Sequence, residues 1–243
     1  MAQETSREII IGVPGLWPTR SDLIKSVATQ TDGLVLAGRL LFNQKTNQGF
    51  QADIYEHDPV LREAFSAAGM GQIPEQDLEA IAKHTYTLYL IGPGGTPDLA
   101  QEMMEVAVQL LNADGLAVKV ETAGVAHSKE AWQYFASHKS LFLCDAYTAY
   151  IGAKESYYSC GMHNLGLRDA SVPANIEMKE ALLLLKTFLC YTAIERPALE
   201  EGHTFSVDAQ SPHYRLAHQE CTTYPSDDPF YNPFGLWHLS RMK

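Results

Sequence analysis

The feature that most constrains the fold is an early pair of strand-like runs joined by a short polar turn. Residues 33–42, GLVLAGRLLF, and residues 49–57, GFQADIYEH, flank the segment NQKTNQ, a spacing typical of a β-hairpin. Hairpin strands are antiparallel, so a purely parallel sheet is excluded. Strand-like runs at 7–13, 85–92 and 115–121 alternate with amphipathic segments. The order predicts an α+β fold with mixed, largely antiparallel sheets and helices packed on their faces.

The strongest helical pattern lies at residues 96–115, TPDLAQEMMEVAVQLLNADG. Thr96 is a suitable N-cap, Pro97 suits the first helical position, and Gly115 ends the segment. Its apolar residues recur every three to four positions, so one face of the helix is predicted to lie in the core. Further helices are predicted from about residue 21 and at 58–69, 74–84, 128–138 and 175–195.

The second half of the chain differs in character from the first. Residues 140–167 are aromatic, polar and strand-like, with two strands predicted around 152–155, and two final strands are predicted in HTFSVD and HYRLAHQECTTY. This change predicts a sandwich-like α/β subdomain over residues 1–139 and a β-β-α-β-β subdomain with an aromatic C-terminal tail over residues 140–243. The two are closely packed or form one continuous domain.

The composition limits the classes of partner. The 243 residues include 18 Lys and Arg against 29 Asp and Glu, a formal net charge of −11. Nucleic acids and anionic membranes bind basic surfaces, so both are excluded, and a basic protein is the favoured partner. No run is long and apolar enough for a membrane span, and the N-terminus lacks a signal-peptide pattern. The four cysteines are far apart in sequence, which predicts reduced thiols in a cytoplasmic protein.

The run YYSCGMHNLGLRDA at 157–170 places Cys160 three positions before His163. A catalytic thiol needs a neighbouring base that holds it as the thiolate, and this spacing brings the two side chains together in a turn but separates them in a strand. Cysteine is also among the most buried residue types, so a packing role is favoured. The same pair offers two zinc ligands, but the second close-spaced ligand pair of structural zinc sites is missing and no metal is predicted.

The run KVETAGVAH at 119–127 is a second candidate site. If residues 116–121 form a strand, Glu121 and His127 lie at or just past its C-terminal end, where sites of α/β proteins often form. A carboxylate and an imidazole there are suited to general acid–base catalysis. The favoured alternative is a Lys–Glu surface on an edge strand, with the histidine next to a helix cap.

Two further segments are candidates for binding. The glycine-rich link IGPGGTPDLA at 91–100 matches no phosphate-binding motif and is followed by no lysine, so it predicts a structural turn and no cofactor. The segment DDPFYNPFGLWHL at 227–239 is rich in aromatic residues and predicts either an interaction surface or, preferably, a lid that packs on the core. The candidate interaction residues are Asp227, Asp228, Phe230, Tyr231 and Trp237.

Three motifs together resemble a bacterial domain family of unknown function: KVETAGVAH (119–127), SCGMHNLGL (159–167) and NPFGLWHL (232–239). The segments VPGLW (13–17) and EGHTF (201–205) add to the similarity. The resemblance runs through nearly the whole chain. It implies a soluble bacterial protein with a mixed α/β fold, and it carries over no reaction and no catalytic residue.

Two hypotheses of function follow. The favoured one is an acidic protein-interaction module of the immunity or regulatory type that covers a basic protein, because the sequence lacks any strong catalytic signature. The alternative is a small-molecule hydrolase or transferase, with a site built where the two halves of the chain meet. Its residues would be Glu121, His127, Cys160 and His163. The sequence leaves the oligomeric state open.

Overall fold

The structure is a computed structural model that describes residues 7–242, with the side chains of residues 139–141 left out of the description. The expectation that the N-terminus is no signal peptide rests largely on residues 1–6, which lie outside the described residues. The helices are α1 (Arg20–Gln30), α2 (Leu61–Ala68), α3 (Glu75–Ile81), α4 (Pro97–Asn112), α5 (Lys129–Ser137), α6 (Lys139–Tyr147) and α7 (Met178–Glu195). None of the helices within residues 7–242 combines the length and apolarity that a membrane crossing requires.

The strands form two sheets, and the predicted α+β class is confirmed. The strands are β1 (Glu8–Gly15), β2 (Leu34–Ala37), β3 (Leu40–Asn43), β4 (Gln48–Glu56), β5 (Tyr86–Pro93), β6 (Ala117–Val120), β7 (Val125–Ser128), β8 (Ala149–Gly152), β9 (Ser156–Cys160), β10 (Asp169–Pro173), β11 (Thr204–Phe205), β12 (Tyr214–Gln219) and β13 (Leu236–Arg241). The first sheet has the order β2-β3-β4-β5-β1-β6-β7 and the second β11-β12-β13-β10-β9-β8. All strand pairs are antiparallel except β10 with β13.

The early hairpin of the sequence is three strands rather than two. The run 33–42 bends at Gly38, whose φ is +65°, so β2 and β3 pair with each other before β3 pairs with β4. Glycine adopts this left-handed conformation at little cost, which explains a tight turn inside an otherwise apolar run.

The two faces of the first sheet have different coverings. Residues Ile9, Ile11 and Val13 of β1 lie fully buried on the face that packs against α1 and α4, in the main core. On the other face α2 and α3 form a smaller cluster with Ala117 and Ala126 of the β6–β7 hairpin. Because side chains alternate along each strand, residues of β4, β5 and β1 also point to this second face of the sheet. They lie outside the cluster that α2 and α3 form.

One hydrophobic core runs through both halves of the chain. It includes residues of the first sheet and of the second, together with α4, α6 and α7 between them. The Tyr147 hydroxyl donates to the Ala100 carbonyl at 2.6 Å, and the Thr122 hydroxyl donates to Asn164 Oδ1 at 2.8 Å. This continuity favours one domain over subdomains divided at residue 139.

Three elements differ from the sequence predictions. Residues 139–147 are helical rather than strand-like, 125–128 form a strand that pairs with β6, and the aromatic C-terminal tail contains strand β13. The apolar run at 139–147 has no clear period, and such a run is compatible with a buried helix as well as with a strand. The predicted helix at 58–69 begins only at Leu61, because residues 58–60 form the turn before it.

Candidate functional site

Cys160 and His163 lie on either side of a tight turn between β9 and a single 3-10 turn at Met162–Leu165. Both are buried, with exposed fractions of 2% and 1%. The Cys160 thiol donates to the Phe230 carbonyl at 3.8 Å, and neither ring nitrogen of His163 has a hydrogen-bond partner within the described residues. The two side chains therefore form no thiol–imidazole hydrogen bond.

The electrostatics of this turn oppose a reactive thiolate. Burial, followed by the negative charge of Asp169, raises the pKa of the Cys160 thiol. Burial, followed by the positive charge of Arg7, lowers the pKa of His163 to about 4. The cavity beside Cys160 has a volume of about 10 Å³, roughly the space of one water molecule. Cys160 and His163 are therefore packing residues of the interior, and the cavity beside Cys160 leaves no room for a substrate.

Asp169, which was not among the predicted site residues, organises this turn. Its Oδ1 accepts from the Ser159 hydroxyl at 2.8 Å and from the Met162 amide at 3.3 Å. Its Oδ2 accepts from Asn232 Nδ2 at 2.7 Å. Burial raises the pKa of this carboxyl to about 6, against the opposing effect of these hydrogen bonds. The motif SCGMHNLGL is therefore held by a buried carboxyl that comes two residues after it.

Glu121 and His127 each have a separate partner. The carboxylate of Glu121 forms an ion pair with Lys119. His127 lies in β7 opposite Val118, and its Nε2 is 3.0 Å from the Ala146 carbonyl. Burial lowers the pKa of His127 to about 4, so the ring is neutral at pH 7 and Nε2 donates. The catalytic assembly predicted from Glu121, His127, Cys160 and His163 is not supported, because none of the four hydrogen-bonds to another.

The aromatic C-terminal segment packs onto the protein, as the lid alternative predicts. Trp237 is 6% exposed in β13, with the Arg168 guanidinium 5.0 Å from its ring centroid. The Phe230 ring contacts Tyr224 edge-on at 5.4 Å, and its carbonyl accepts from the Cys160 thiol. Trp237 is therefore buried and Phe230 and Tyr231 are half-buried, while Phe234 stays 39% exposed.

Of the acidic and tyrosine side chains of that segment, Asp228 and Tyr231 are engaged in contacts within the protein, and Asp227 is exposed. Asp228 Oδ1 accepts from the Phe230 amide at 2.8 Å, and the Arg7 guanidinium lies 5.6 Å from the Tyr231 ring centroid. Asp227 is exposed and borders none of the five main pockets of the described residues.

A different site lies on the second face of the first sheet and is called here the open-face pocket. Its volume is about 550 Å³, and it is bordered by Ile10, Asp53, Tyr55, Glu56, His57, Asp58, Pro59, Thr87, Tyr89 and Ile91. The rings of Tyr55 and Tyr89 meet edge to face, with centroids 5.4 Å apart and planes at 87°. Tyr55 is 60% exposed, so one ring of the pair is available to a ligand.

One of the residues that border the pocket, Thr87, has a buried polar atom without a partner in the described structure. Thr87 is 3% exposed, and its hydroxyl has no hydrogen-bond partner within the described residues. Thr87 pairs with Tyr55 of β4 and with Pro14 of β1 in the sheet. A buried hydroxyl without a partner is rare in folded proteins and costs free energy, so this atom needs an explanation.

The pocket is acidic. Asp53, Glu56 and Asp58 border it, and its bordering residues include no lysine or arginine. Asp53 is paired with Arg39 through two hydrogen bonds of 2.6 and 2.8 Å. Burial, followed by the charges of Glu121 and Asp58, raises the pKa of Tyr89 to about 12. The hydroxyl of Tyr89 therefore stays protonated, and the local field favours a cation.

A pair of histidines holds the wall of the pocket. His84 is buried, its Nε2 accepts from the Asp58 amide at 3.1 Å, and its Nδ1 donates to the Ile81 carbonyl at 2.7 Å. His57 Nδ1 donates to the His84 carbonyl at 2.8 Å, and the two rings lie 4.7 Å apart. These bonds fix the turn at 56–59 and so place its carboxylates at the rim.

Comparisons with known proteins do not assign the chain. It matches no protein-family model, no curated protein and no solved structure. The resemblance of its motifs to a bacterial family of unknown function stays a prediction. Within residues 7–242 no three histidine, cysteine, aspartate or glutamate side chains are grouped so that they could hold a metal ion.

The residues of the open-face pocket were not among the predicted site residues, although the sequence contains a signal for them. In TYTLYLIG the alternation places Thr87, Tyr89 and Ile91 on one face of the strand and Leu88 and Leu90 on the other. Polar aromatic residues on an alternating face indicate a half-exposed surface. Only the pairing of β5 with β4 brings that face next to the acidic residues of GFQADIYEH.

Proposed function

We propose that this protein is an interaction module that binds a basic segment of a partner protein in the open-face pocket. The observation that carries the proposal is the buried Thr87 hydroxyl without a partner, in a pocket that also offers two tyrosine rings and acidic side chains. An incoming N–H donor from an arginine or lysine would supply the hydrogen bond that Thr87 lacks.

The chemistry of the pocket suits a guanidinium group. A cation is attracted to the face of a tyrosine ring, and a carboxylate forms a charge-assisted hydrogen bond with it. Arginine is favoured over lysine because its planar group stacks on an aromatic ring and donates in several directions at once. Tyr55 supplies the exposed ring and Glu56 an exposed carboxylate for which no ion pair is found in the described structure.

The charge of the whole molecule supports the same partner class. A net charge of −11 produces a negative potential that accelerates the approach of a basic protein and slows that of an acidic one. This long-range effect acts on any basic partner. Selectivity for one segment would come from the pocket.

The test is binding of a fluorescein-labelled hexa-arginine peptide measured by fluorescence anisotropy, with hexa-glutamate as the reference. We expect hexa-arginine alone to bind, and its affinity to fall as salt is raised. Tyr55→Ala removes the exposed ring and should weaken binding by about fivefold. A wild-type protein that binds neither peptide, or a Tyr55→Ala variant that binds normally, would contradict the proposal.

A matched pair of charge variants separates the pocket from general attraction. Glu56→Gln and Glu63→Gln each remove one negative charge from an exposed side chain, but Glu63 lies on α2 and does not border the pocket. We expect Glu56→Gln to weaken hexa-arginine binding by about threefold and Glu63→Gln to leave it unchanged. Equal weakening by both variants would show that the peptide follows net charge only.

A further inference from the structure

A second cavity lies where the two halves of the chain meet and is called here the junction cavity. Its volume is about 580 Å³, within the range of small-molecule sites. Residues of β7, α5, α6, β8 and α7 border it, together with the loop that follows α2. Its apolar wall includes Ile73, Val125, Phe135 and Leu182, and its polar side chains include His127, Asp145, Tyr150 and Lys186.

Two buried polar atoms that belong to residues of this cavity have no hydrogen-bond partner within the described residues. They are the Tyr150 hydroxyl oxygen and Asp145 Oδ1. Lys186 Nζ forms an ion pair with Asp145 Oδ1 at 3.1 Å. The same Nζ lies over the Tyr150 ring, 5.3 Å from the ring centroid. The ion pair balances the charge of Asp145 but leaves its oxygen without an aligned hydrogen bond. Two such atoms on residues that border one cavity indicate a polar group that is supplied from outside.

The charges that face the cavity cancel. Asp145 and Lys186 are its only charged side chains among the described residues that border it. His127 is neutral, since burial lowers its pKa to about 4. Because Nε2 donates to the Ala146 carbonyl, the lone pair of the neutral ring is on Nδ1. A charged ligand would disturb the balance between Asp145 and Lys186, whereas an uncharged one would not.

We propose that the junction cavity binds an uncharged amphipathic molecule with an aromatic or alicyclic body and a head group that both donates and accepts hydrogen bonds, such as a primary amide. The body would lie against Phe135, Val125 and Leu182. The head group would donate to Asp145 Oδ1 and accept from the Tyr150 hydroxyl. This site shares no bordering residue with the open-face pocket, so each of the two proposals is tested independently of the other.

The cavity also has room for a longer body. A smaller cavity of about 160 Å³ is also bordered by Tyr150 and Leu182, and a longer ligand body that displaced the Leu182 side chain would reach it. Leu182 is 41% exposed and Met70 is 48% exposed. Apolar side chains exposed at the edge of a cavity provide a path for an apolar ligand and would be covered by it.

Three naphthyl compounds test the predicted class of ligand: naphthylacetamide, naphthylacetate and naphthylmethylamine. They share the aromatic body and differ in the charge of the head group. Isothermal titration calorimetry of the wild-type protein should give naphthylacetamide a dissociation constant below about 1 mM. The amide should bind about tenfold tighter than either charged analogue. Absence of binding, or equal affinity for all three compounds, would overturn the proposal.

Matched variants locate the binding. Ala131→Leu places a larger side chain in the junction cavity from α5, and Ala28→Leu makes the same change at an exposed position of α1. We expect Ala131→Leu to weaken amide binding by at least about tenfold and Ala28→Leu to leave it unchanged. If Ala131→Leu binds the amide as the wild type does, the compound binds elsewhere and the proposal fails.

A second pair keeps the proposal testable if Ala131→Leu does not fold, which circular dichroism would show. Tyr150→Phe removes only the hydroxyl, and Tyr191→Phe makes the same change on α7 at a residue that does not border the junction cavity. Loss of the hydroxyl at residue 150 should weaken amide binding by about fivefold, and loss at residue 191 should have no effect. Unchanged affinity in Tyr150→Phe would overturn the assignment of the head group.

Discussion

A thiol that is 2% exposed and donates to a backbone carbonyl reacts differently from one at an open site. Alkylation requires the thiolate and access for the reagent, and Cys160 has a raised pKa because it is buried. Cys221 is partly exposed in the same region. We expect iodoacetamide at pH 7.5 to modify Cys221 before Cys160 in the native protein, as peptide mass spectrometry over time would show. Faster modification of Cys160 would restore the catalytic interpretation.

The buried carboxyl of Asp169 makes stability depend on pH in a defined direction. Its pKa is raised to about 6 from a usual value of 3.8, so the folded protein binds this proton more tightly than the unfolded chain does. The contribution of the Asp169 carboxyl to the free energy of unfolding is therefore fully present below about pH 4. That contribution is lost as the pH rises towards about 6.

The variant Asp169→Asn isolates this effect because asparagine does not titrate. We expect the wild-type free energy of unfolding, minus that of the variant, to fall by about 1–3 kcal/mol between pH 4 and pH 6.5. Urea unfolding at the two pH values measures it. The subtraction cancels the contributions of His127 and His163, which have the opposite sign because their pKa values are lowered. A difference that does not change with pH would contradict the prediction.

Among the elements, α4 follows most directly from local sequence. The predicted cap is confirmed, since the Thr96 hydroxyl accepts from the Leu99 amide at 3.2 Å, and the helix runs over Pro97–Asn112. Of the predicted apolar positions, Met103, Val106, Ala107, Leu110 and Leu111 are buried, whereas Leu99 is half-buried. Capping and periodicity involve neighbours within a few residues, so they can be derived without the fold.

The role of Gly166 in the motif SCGMHNLGL depends on tertiary contacts. Gly166 has a φ of +72°, and a Cβ added there would lie 2.0 Å from the Gly95 carbonyl oxygen. The Gly95 amide in turn donates to the Asn164 carbonyl at 2.9 Å. Gly95 of the glycine-rich link before α4 therefore packs closely against Asn164 and Gly166 of this motif. This contact between the two halves of the chain is called here the seam.

Replacing Gly166 tests the seam, with Gly71 as the matched control. Gly71 has a φ of +75° and no atom within 4 Å of an added Cβ. Gly71→Ala therefore carries the cost of the backbone conformation alone, about 1 kcal/mol, whereas Gly166→Ala adds a steric clash and should cost about 2–4 kcal/mol. Urea unfolding measures both. Equal losses would mean that the seam accommodates the methyl group.

The molecule as a whole should unfold as one unit. The main core includes Leu88 and Leu90 of the first sheet together with Leu216 and Leu239 of the second, and removing either half would expose the other. We expect β5 and β12 to lose protection at the same urea concentration in pulsed hydrogen exchange read by mass spectrometry. Two separate midpoints would instead support subdomains divided near residue 139.

The sequence by itself determined the α+β class, the antiparallel hairpin, the positions of most helices and the acidic character, because these follow from periodicity, capping and composition. It left Cys160 between catalysis and packing, because a spacing of three residues does not define which side chains meet. In the tertiary structure Cys160, Glu121 and His127 each have a different partner, and the ring nitrogens of His163 have none within the described residues.

Only the tertiary structure created the two pockets. The open-face pocket requires β4 beside β5, and the junction cavity requires β7, β8 and α7, which come from sequence positions far apart. It also turned the run at 139–147 into a helix, since α5 and α7 pack against it. Contacts between distant residues depend on how the sheets and helices assemble, and a local pattern of polar and apolar residues contains no record of that assembly.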